Sequence, residues 1–232
     1  MNRIGIIGAM QSEVELLHER MEDARFETHI GISYATGRLS GKDVVVCQCG
    51  IGKVNAGVCA AIMIDAFGVD AVINTGVAGS LDASVDIGDI VVATDAVQHD
   101  MDVAALGYVR GHVPGEESPF FESSPKLRQT IIAAAGVVAP DIRAIEGRIA
   151  SGDQFVSDAQ LKDAIVEAFG ASCCEMEGAS IAQVCHKANV PFCVVRAISD
   201  KADGSAHMDY PTFQAKAARD CAAIVLKTLE TL

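Results

Sequence analysis

The chain has 232 residues with a formal net charge of -13, half of them hydrophobic, with no Trp and 8 Cys. An acidic surplus of this kind excludes nucleic acid and anionic membranes as partners, since both need clustered Lys and Arg, and no apolar run approaches the ~20 residues that cross a bilayer. The length fits a single domain over 1–232 with no linker, large enough to bury roughly 70 to 75% of its unfolded surface in a core of Ala, Val, Ile and Leu.

The opening MNRIGIIGAM carries one Arg and then a strand pattern, without the apolar stretch and small-residue cleavage site of a signal peptide, so the expected location is cytoplasmic. The cysteines at 47, 49, 59, 173, 174, 185, 193 and 221 show no C-x-x-C and no paired metal spacing. They read as buried free thiols of a reducing compartment, with Cys173 and Cys174 the two worth testing as a catalytic thiol.

Residues 4–9 are expected to form a strand, after which Ser12 opens a helix through Glu13, Val14, Leu16 and Leu17. Ser12 and Glu15 have the spacing of a capping box. Glu13 falls beside the strand end, where a carboxylate serves either the helix dipole or a site. Residues 32–39 and 44–49 read as a hairpin across Ser40, Gly41, Lys42 and Asp43. Gly50-Ile51-Gly52 leads into a helix over 53–67. Its G-x-G-x-x-x-x-G spacing departs from the dinucleotide fingerprint, and the next strand, 71–75, ends in Asn74-Thr75 where a ribose-binding acid would be needed. The glycines therefore read as a tight turn or a close backbone approach to a ligand.

Gly76-Val77-Ala78-Gly79-Ser80 ends that strand, and another follows over 90–97. His99-Asp100-Met101-Asp102 reads as a hydrogen-bonded loop in preference to a metal site. Residues 107–125 hold three of the 6 prolines and form a long loop. A helix over 125–135 starts on Pro125, a strand over 145–150 runs into Ser151-Gly152-Asp153-Gln154-Phe155-Val156, and Asp158 opens a helix to Phe169.

Residues 172–200 organise the rest as strand, helix, strand. Glu177 closes the first strand and Asp200 the second, and a crossover of this length places two parallel strands with their ends on one edge. Phe192, Cys193, Val194 and Val195 have the character of a buried central strand, and ligands of open α/β sheets sit beyond the carboxyl ends. A last helix is expected over 212–229. About nine strands and six helices in alternation make a single-domain α/β three-layer sandwich.

The motifs IGIIGAM with Glu13, GIGKVNA, INTGVAGS, DIGDIVV, HDMDVAALGY, SGDQFV, EMEG and VPFCVVRAISD, in this order, resemble the 5'-methylthioadenosine/S-adenosylhomocysteine nucleosidases over nearly the whole chain. The resemblance implies a nucleoside phosphorylase-like fold, a mixed twisted β-sheet flanked by helices, with no cofactor and no metal. It implies hydrolysis of the bond between adenine and a 5-thioribose. Glu13 would be the base that activates water, Asp200 the acid that assists adenine and Glu177 the carboxylate that holds the ribose hydroxyls. Phe155 would stack on the purine and the Val156 backbone would read its edge. Met176 would lie against the sugar, Ser199 would orient Asp200, and Ala78, Gly79 and Glu175 belong to the matched site motifs. Met10, Ile51, Val103, Leu106, Pro114 and Phe213 would line the 5' slot, with Val103, Leu106 and Pro114 projecting from the second subunit of a homodimer. Val77, Ser80, Gln154 and Gly178 depart from the family pattern.

The chemistry agrees with that assignment, because breaking a C1'-N9 bond builds positive charge on the sugar and negative charge on the base. Anions must stand near the one and a proton near the other. Arg196 reads as a structural partner for an acid, and Lys53 as a cover for its neighbours. A phosphate-dependent purine nucleoside phosphorylase remains the nearest alternative, followed by a non-catalytic nucleoside-binding protein and, more distantly, a dehydrogenase.

Overall fold

The computed structural model describes residues 1–232, the side chain of Met208 excepted. In chain order the elements are β1 (Arg3–Gly8), α1 (Gln11–Arg20), β2 (Glu22–His29), β3 (Ile32–Leu39), β4 (Lys42–Gln48), α2 (Lys53–Asp65), β5 (Ala71–Ser80), β6 (Ile90–Gln98), a 3-10 turn (Ala104–Leu106), β7 (Phe121–Glu122), α3 (Pro125–Val138), β8 (Ala144–Ser151), α4 (Ala159–Phe169), β9 (Cys173–Glu175), α5 (Gly178–Ala188), β10 (Phe192–Asp200) and α6 (Ala206–Thr231).

All strands belong to one mixed sheet. β10 pairs with β5 on one side and β6 on the other, and the path β6-β8-β9-β5 returns to it. Five strands therefore close into a ring, with β1, β4, β3 and β2 continuing outward as an arm. β5 and β10 are buried along their whole length, which is why their sequences lack polar alternation. One apolar core lies under α2 and α5, through Cys59, Met63, Ile181 and Cys185. A second lies under α1, α3 and α6, through Leu17, Ile131 and Val225. α4 covers a smaller third cluster with Ile165 and Phe169.

Four expectations need correction. β9 and β10 are neither adjacent nor parallel: β10 runs parallel to β5, whereas β9 runs antiparallel to it. Gly79 pairs with Asp200 on one side and Cys174 on the other, so the strand ends meet because the sheet curls round β5. β9 stops at Glu175, whose carboxylate accepts the Glu177 and Gly178 N–H groups and turns the chain into α5, leaving Glu177 at the N-cap position. The carboxylate that caps α1 is Glu13, not Glu15, because the helix starts at Gln11 with Met10 as N-cap. α6 begins at Ala206 and carries Pro211 inside its second turn, where proline cannot donate to the carbonyl four residues back.

β2 had no sequence signal. Seven of its eight residues are exposed, and EDARFETH is the charged composition that protects a sheet edge.

Candidate active site

A cavity of about 550 Å³ opens where β1, β5, β9 and β10 end, a volume suited to a small ligand. Glu13, Glu177 and Asp200 all stand in its wall, each at most 5% exposed.

Glu13 is held by backbone. Its Oε2 accepts from Ala9 N at 2.6 Å and Met10 N at 2.9 Å, and its Oε1 accepts from Val77 N at 3.1 Å. Burial raises its pKa, and the charge of Arg196 together with these three N–H donors pulls the other way. No Cβ fits at position 76, where it would collide with both Arg196 and the Glu13 carboxylate. The glycine in INTGVAGS is thereby explained by space.

Beneath the wall lies Arg196, fully buried. It pairs with Glu175 and Asn74 and stands 3.8 Å from Glu177 Oε2. Burial works against its charge, but Glu175, Glu177 and Glu13 outweigh that and keep it protonated. Glu175 also accepts from the Ser151 hydroxyl, so one carboxylate joins β8, β9, α5 and β10. Glu177 Oε1 accepts from Gly52 N at 2.8 Å. Burial, then the neighbouring Glu175 charge, pushes the Glu177 carboxyl up to about 7. Asp200 accepts from Ala202 N at 2.9 Å and from the Ser199 hydroxyl at 3.0 Å, and burial raises its pKa. Burial thus biases all three carboxyl groups of the wall toward the neutral form, while Arg196 favours the anion at Glu13 and Glu177, an arrangement suited to paired acid and base work.

Met10, Ile51, Ala78, Gly79, Phe155, Glu175, Met176 and Ser199 are in the same wall, and Val156 lines a small adjoining pocket with Phe155, Met176 and Asp200. Phe213 is not in the wall. With α6 starting at Ala206, His207, Tyr210 and Pro211 face the cavity instead, and Phe213 is 39% exposed. Val103, Leu106 and Pro114 also lie outside the wall of this single chain. Sequence reading missed Ala9, His207, Tyr210 and Pro211, and had Cys174 only as a candidate thiol and Val77 only as a departure from the family pattern; placing the helix start at Thr212 hid His207, Tyr210 and Pro211. Tyr210 bridges the rim, its hydroxyl 3.1 Å from Met10 Sδ and its ring edge-on to Phe155 at 5.6 Å.

Burial, then the charge of neighbouring groups, pushes both the Cys173 and Cys174 thiols up, away from the thiolate a nucleophile needs. Lys53 does more than cover neighbours: it pairs with Asp100 at 2.6 Å. Among the described residues no group of three or more His, Cys, Asp or Glu is arranged to hold a metal ion, and no helix is long and apolar enough to cross a membrane.

This ring sheet, with its acid-lined cavity, has relatives. The model of the phosphorylase superfamily matches residues 3–230, and the chain belongs to that superfamily. The 5'-methylthioadenosine/S-adenosylhomocysteine nucleosidase of Shewanella sediminis is 41% identical over 99% of this chain and 100% of its own. The crystal structure of the Neisseria meningitidis nucleosidase of the same name, in complex with methylthio-immucillin-A, superposes with a TM-score of 0.97 at 38% identity over the full length of both chains. Futalosine hydrolase of Helicobacter pylori superposes at 0.94 with 39% identity, covering 100% of this chain and 98% of that one. Within the superfamily the chain is a member of the 5'-methylthioadenosine/S-adenosylhomocysteine nucleosidase family.

Proposed function

We propose that the chain hydrolyses the N-glycosidic bond of 5'-methylthioadenosine and S-adenosylhomocysteine, releasing adenine and the 5-substituted ribose. Futalosine-type nucleosides and 5'-deoxyadenosine fall within the same class. The observation that carries this reading is the meeting of Glu13, Glu177 and Asp200 in one wall of a nucleoside-sized cavity.

In this reading the C1'-N9 bond breaks with its electron pair passing to adenine, and Asp200 supplies a proton at N7, so the base leaves neutral. The raised pKa of Asp200 favours the protonated form that this step uses. Water attacks C1' and gives its proton to Glu13, whose anion is favoured by Arg196 and three backbone N–H groups while burial, the larger effect, raises its pKa. Glu177, with Oε1 fixed on Gly52 N, turns its other oxygen to the ribose hydroxyls and supports positive charge on the sugar. Phe155 stacks on the purine beside the Val156 backbone, Met176 lies against the sugar, and Met10, Ile51 and Tyr210 receive the 5' group. Each proton-transfer group contributes ~10²- to 10⁴-fold, or roughly 3 to 5 kcal/mol of barrier.

A homodimer in the cytoplasm completes the reading. Ile51, Val54, Leu106 and Val109 are exposed apolar side chains on the segments joined by the Lys53–Asp100 pair, and a second copy covering them would bring Val103, Leu106 and Pro114 toward its neighbour's 5' slot.

The phosphorylase alternative is disfavoured by the cavity wall, in which, among the described residues, no Lys or Arg stands; Arg196 is buried behind it on Glu175. Adenine release from methylthioadenosine, followed by chromatography with and without phosphate, is expected at equal rates. A phosphate requirement with a ribose 1-phosphate product would overturn hydrolysis, and binding without adenine release would make the chain a nucleoside-binding protein. The same assay across methylthioadenosine, adenosylhomocysteine, 5'-deoxyadenosine and aminodeoxyfutalosine ranks the substrates.

A further inference from the structure

Asp153 reaches across the fold to a helix that lacks a cap of its own. α2 starts after Gly52, which has no side chain to cap it, and the Lys53 N–H is taken by Asp153 Oδ1 at 2.8 Å, from 100 positions away in sequence. Asp153 is itself held, because its N–H donates to Asp100 Oδ2 at 2.9 Å. Asp100 Oδ1 receives Lys53 Nζ at 2.6 Å, and the same ammonium donates to Gln98 Oε1 at 3.1 Å. The loops after β6 and β8 and the first residue of α2 thereby form a closed circuit. The adjacent N–H in that turn, Gly52 N, is the donor to Glu177. Gly52 has φ +99, and a Cβ added there would come within 3.1 Å of Asp153 Oδ1, so a side chain at this position would press on the capping carboxylate.

We propose that Asp153, braced by Asp100 and Lys53, is a positioning residue that fixes the Gly52 N–H on Glu177 and so keeps Glu177 available as an anion for the ribose hydroxyls. This rests on the proposed role of Glu177. The groups facing Glu177 are Glu175 on β9 and Glu13 on α1, which oppose its ionisation, and Arg196 on β10, which favours it; the neutral Cys49 and Tyr210 also lie within electrostatic reach. The Gly52 N–H is the backbone donor on the favourable side, and loss of a donor to a carboxylate raises its pKa. Asp153 touches no reacting atom, so its removal should change the pH profile and leave the chemical step intact.

The test is the pH dependence of kcat/KM for methylthioadenosine in four full-length proteins: the parent, Asp153→Ala, Asp153→Asn and Glu177→Gln. In Asp153→Ala the acid limb is expected to move up by about 0.5 to 1 unit, with kcat above pH 8 within about threefold of the parent. Asp153→Asn keeps an oxygen for Lys53 N and should restore the parent profile to within about 0.2 units. If Asp153→Ala does not fold, Lys53→Met, which loosens the same circuit from the other side, should give a smaller upward shift. An unmoved acid limb in the folded variants while Glu177→Gln is crippled would overturn the positioning role alone. Full activity in Glu177→Gln would overturn the reading of Glu177 on which the inference stands.

Discussion

On the floor of the cavity, Glu13, Glu175, Glu177 and Asp200 sit at strand ends and first helical turns, with Arg196 of mid-β10 behind them, and all five are at most 8% exposed, whereas on the rim Phe155 and Ile51 come from loops and are 49% and 54% exposed. The floor is also crowded with bonds. Glu175 alone engages Arg196, Ser151 and two backbone N–H groups, while Tyr210 on the rim has the Met10 thioether as the partner of its hydroxyl. The difference separates two jobs. In the proposed reaction a fixed floor would hold charges where the chemistry generates them, and an adaptable rim would accept the base and its 5' substituent.

Breaking the floor should cost stability first. Arg196→Met leaves Glu175 buried without its counter-charge and is expected to destabilise the fold by about 3 to 5 kcal/mol, read from urea unfolding. A change below 1 kcal/mol would mean that the backbone donors alone satisfy Glu175.

Glu177 sharpens the contrast through pH. Its carboxyl is raised to about 7 from the ordinary 4.5 of a glutamate, so between those values the folded chain keeps a proton that the unfolded chain has lost. The folded state binds more protons in that window, and its stability falls as pH rises from about 4.5 to about 7. Glu177→Gln removes this dependence. It is expected to gain about 3 kcal/mol over the parent at pH 8 and nothing at pH 4, measured by unfolding at both values. The same variant loses turnover, so stability and activity should separate.

The rim should respond in the opposite sense. Phe155→Ala is expected to raise KM about tenfold with stability changed by less than about 0.5 kcal/mol, since a half-exposed side chain contributes little to folding. The smallest effect belongs to Cys174. Although it lines the cavity, burial holds it as a thiol, and Cys174→Ala should keep kcat within about threefold.

The sequence made the buried strands legible, because β5 and β10 each open on a short apolar run, residues 71–73 and 192–195, that gives way to polar residues. It also made legible the residues in the cavity wall wherever a glycine or acid follows such a run, as at Glu13, Gly79, Glu177 and Asp200. Closure of the ring was not visible, since it depends on Gly79 pairing with strands on both sides, and pairing leaves no local pattern. Tyr210 escaped notice for a local reason: Pro211 marks a boundary in most sequences, and here the helix runs through it. The Asp153 circuit joins positions 53, 100 and 153, a distance along the chain that no spacing rule spans.

The claim that three carboxylates act round one sugar is tested most directly by rates of adenine release from methylthioadenosine by Glu13→Gln, Glu177→Gln and Asp200→Asn, each checked for folding and for nucleoside affinity. The account expects every variant to lose at least ~10²-fold in turnover, with Asp200→Asn binding within about tenfold of the parent. A folded variant of any one of the three that turns over at the parent rate would contradict it.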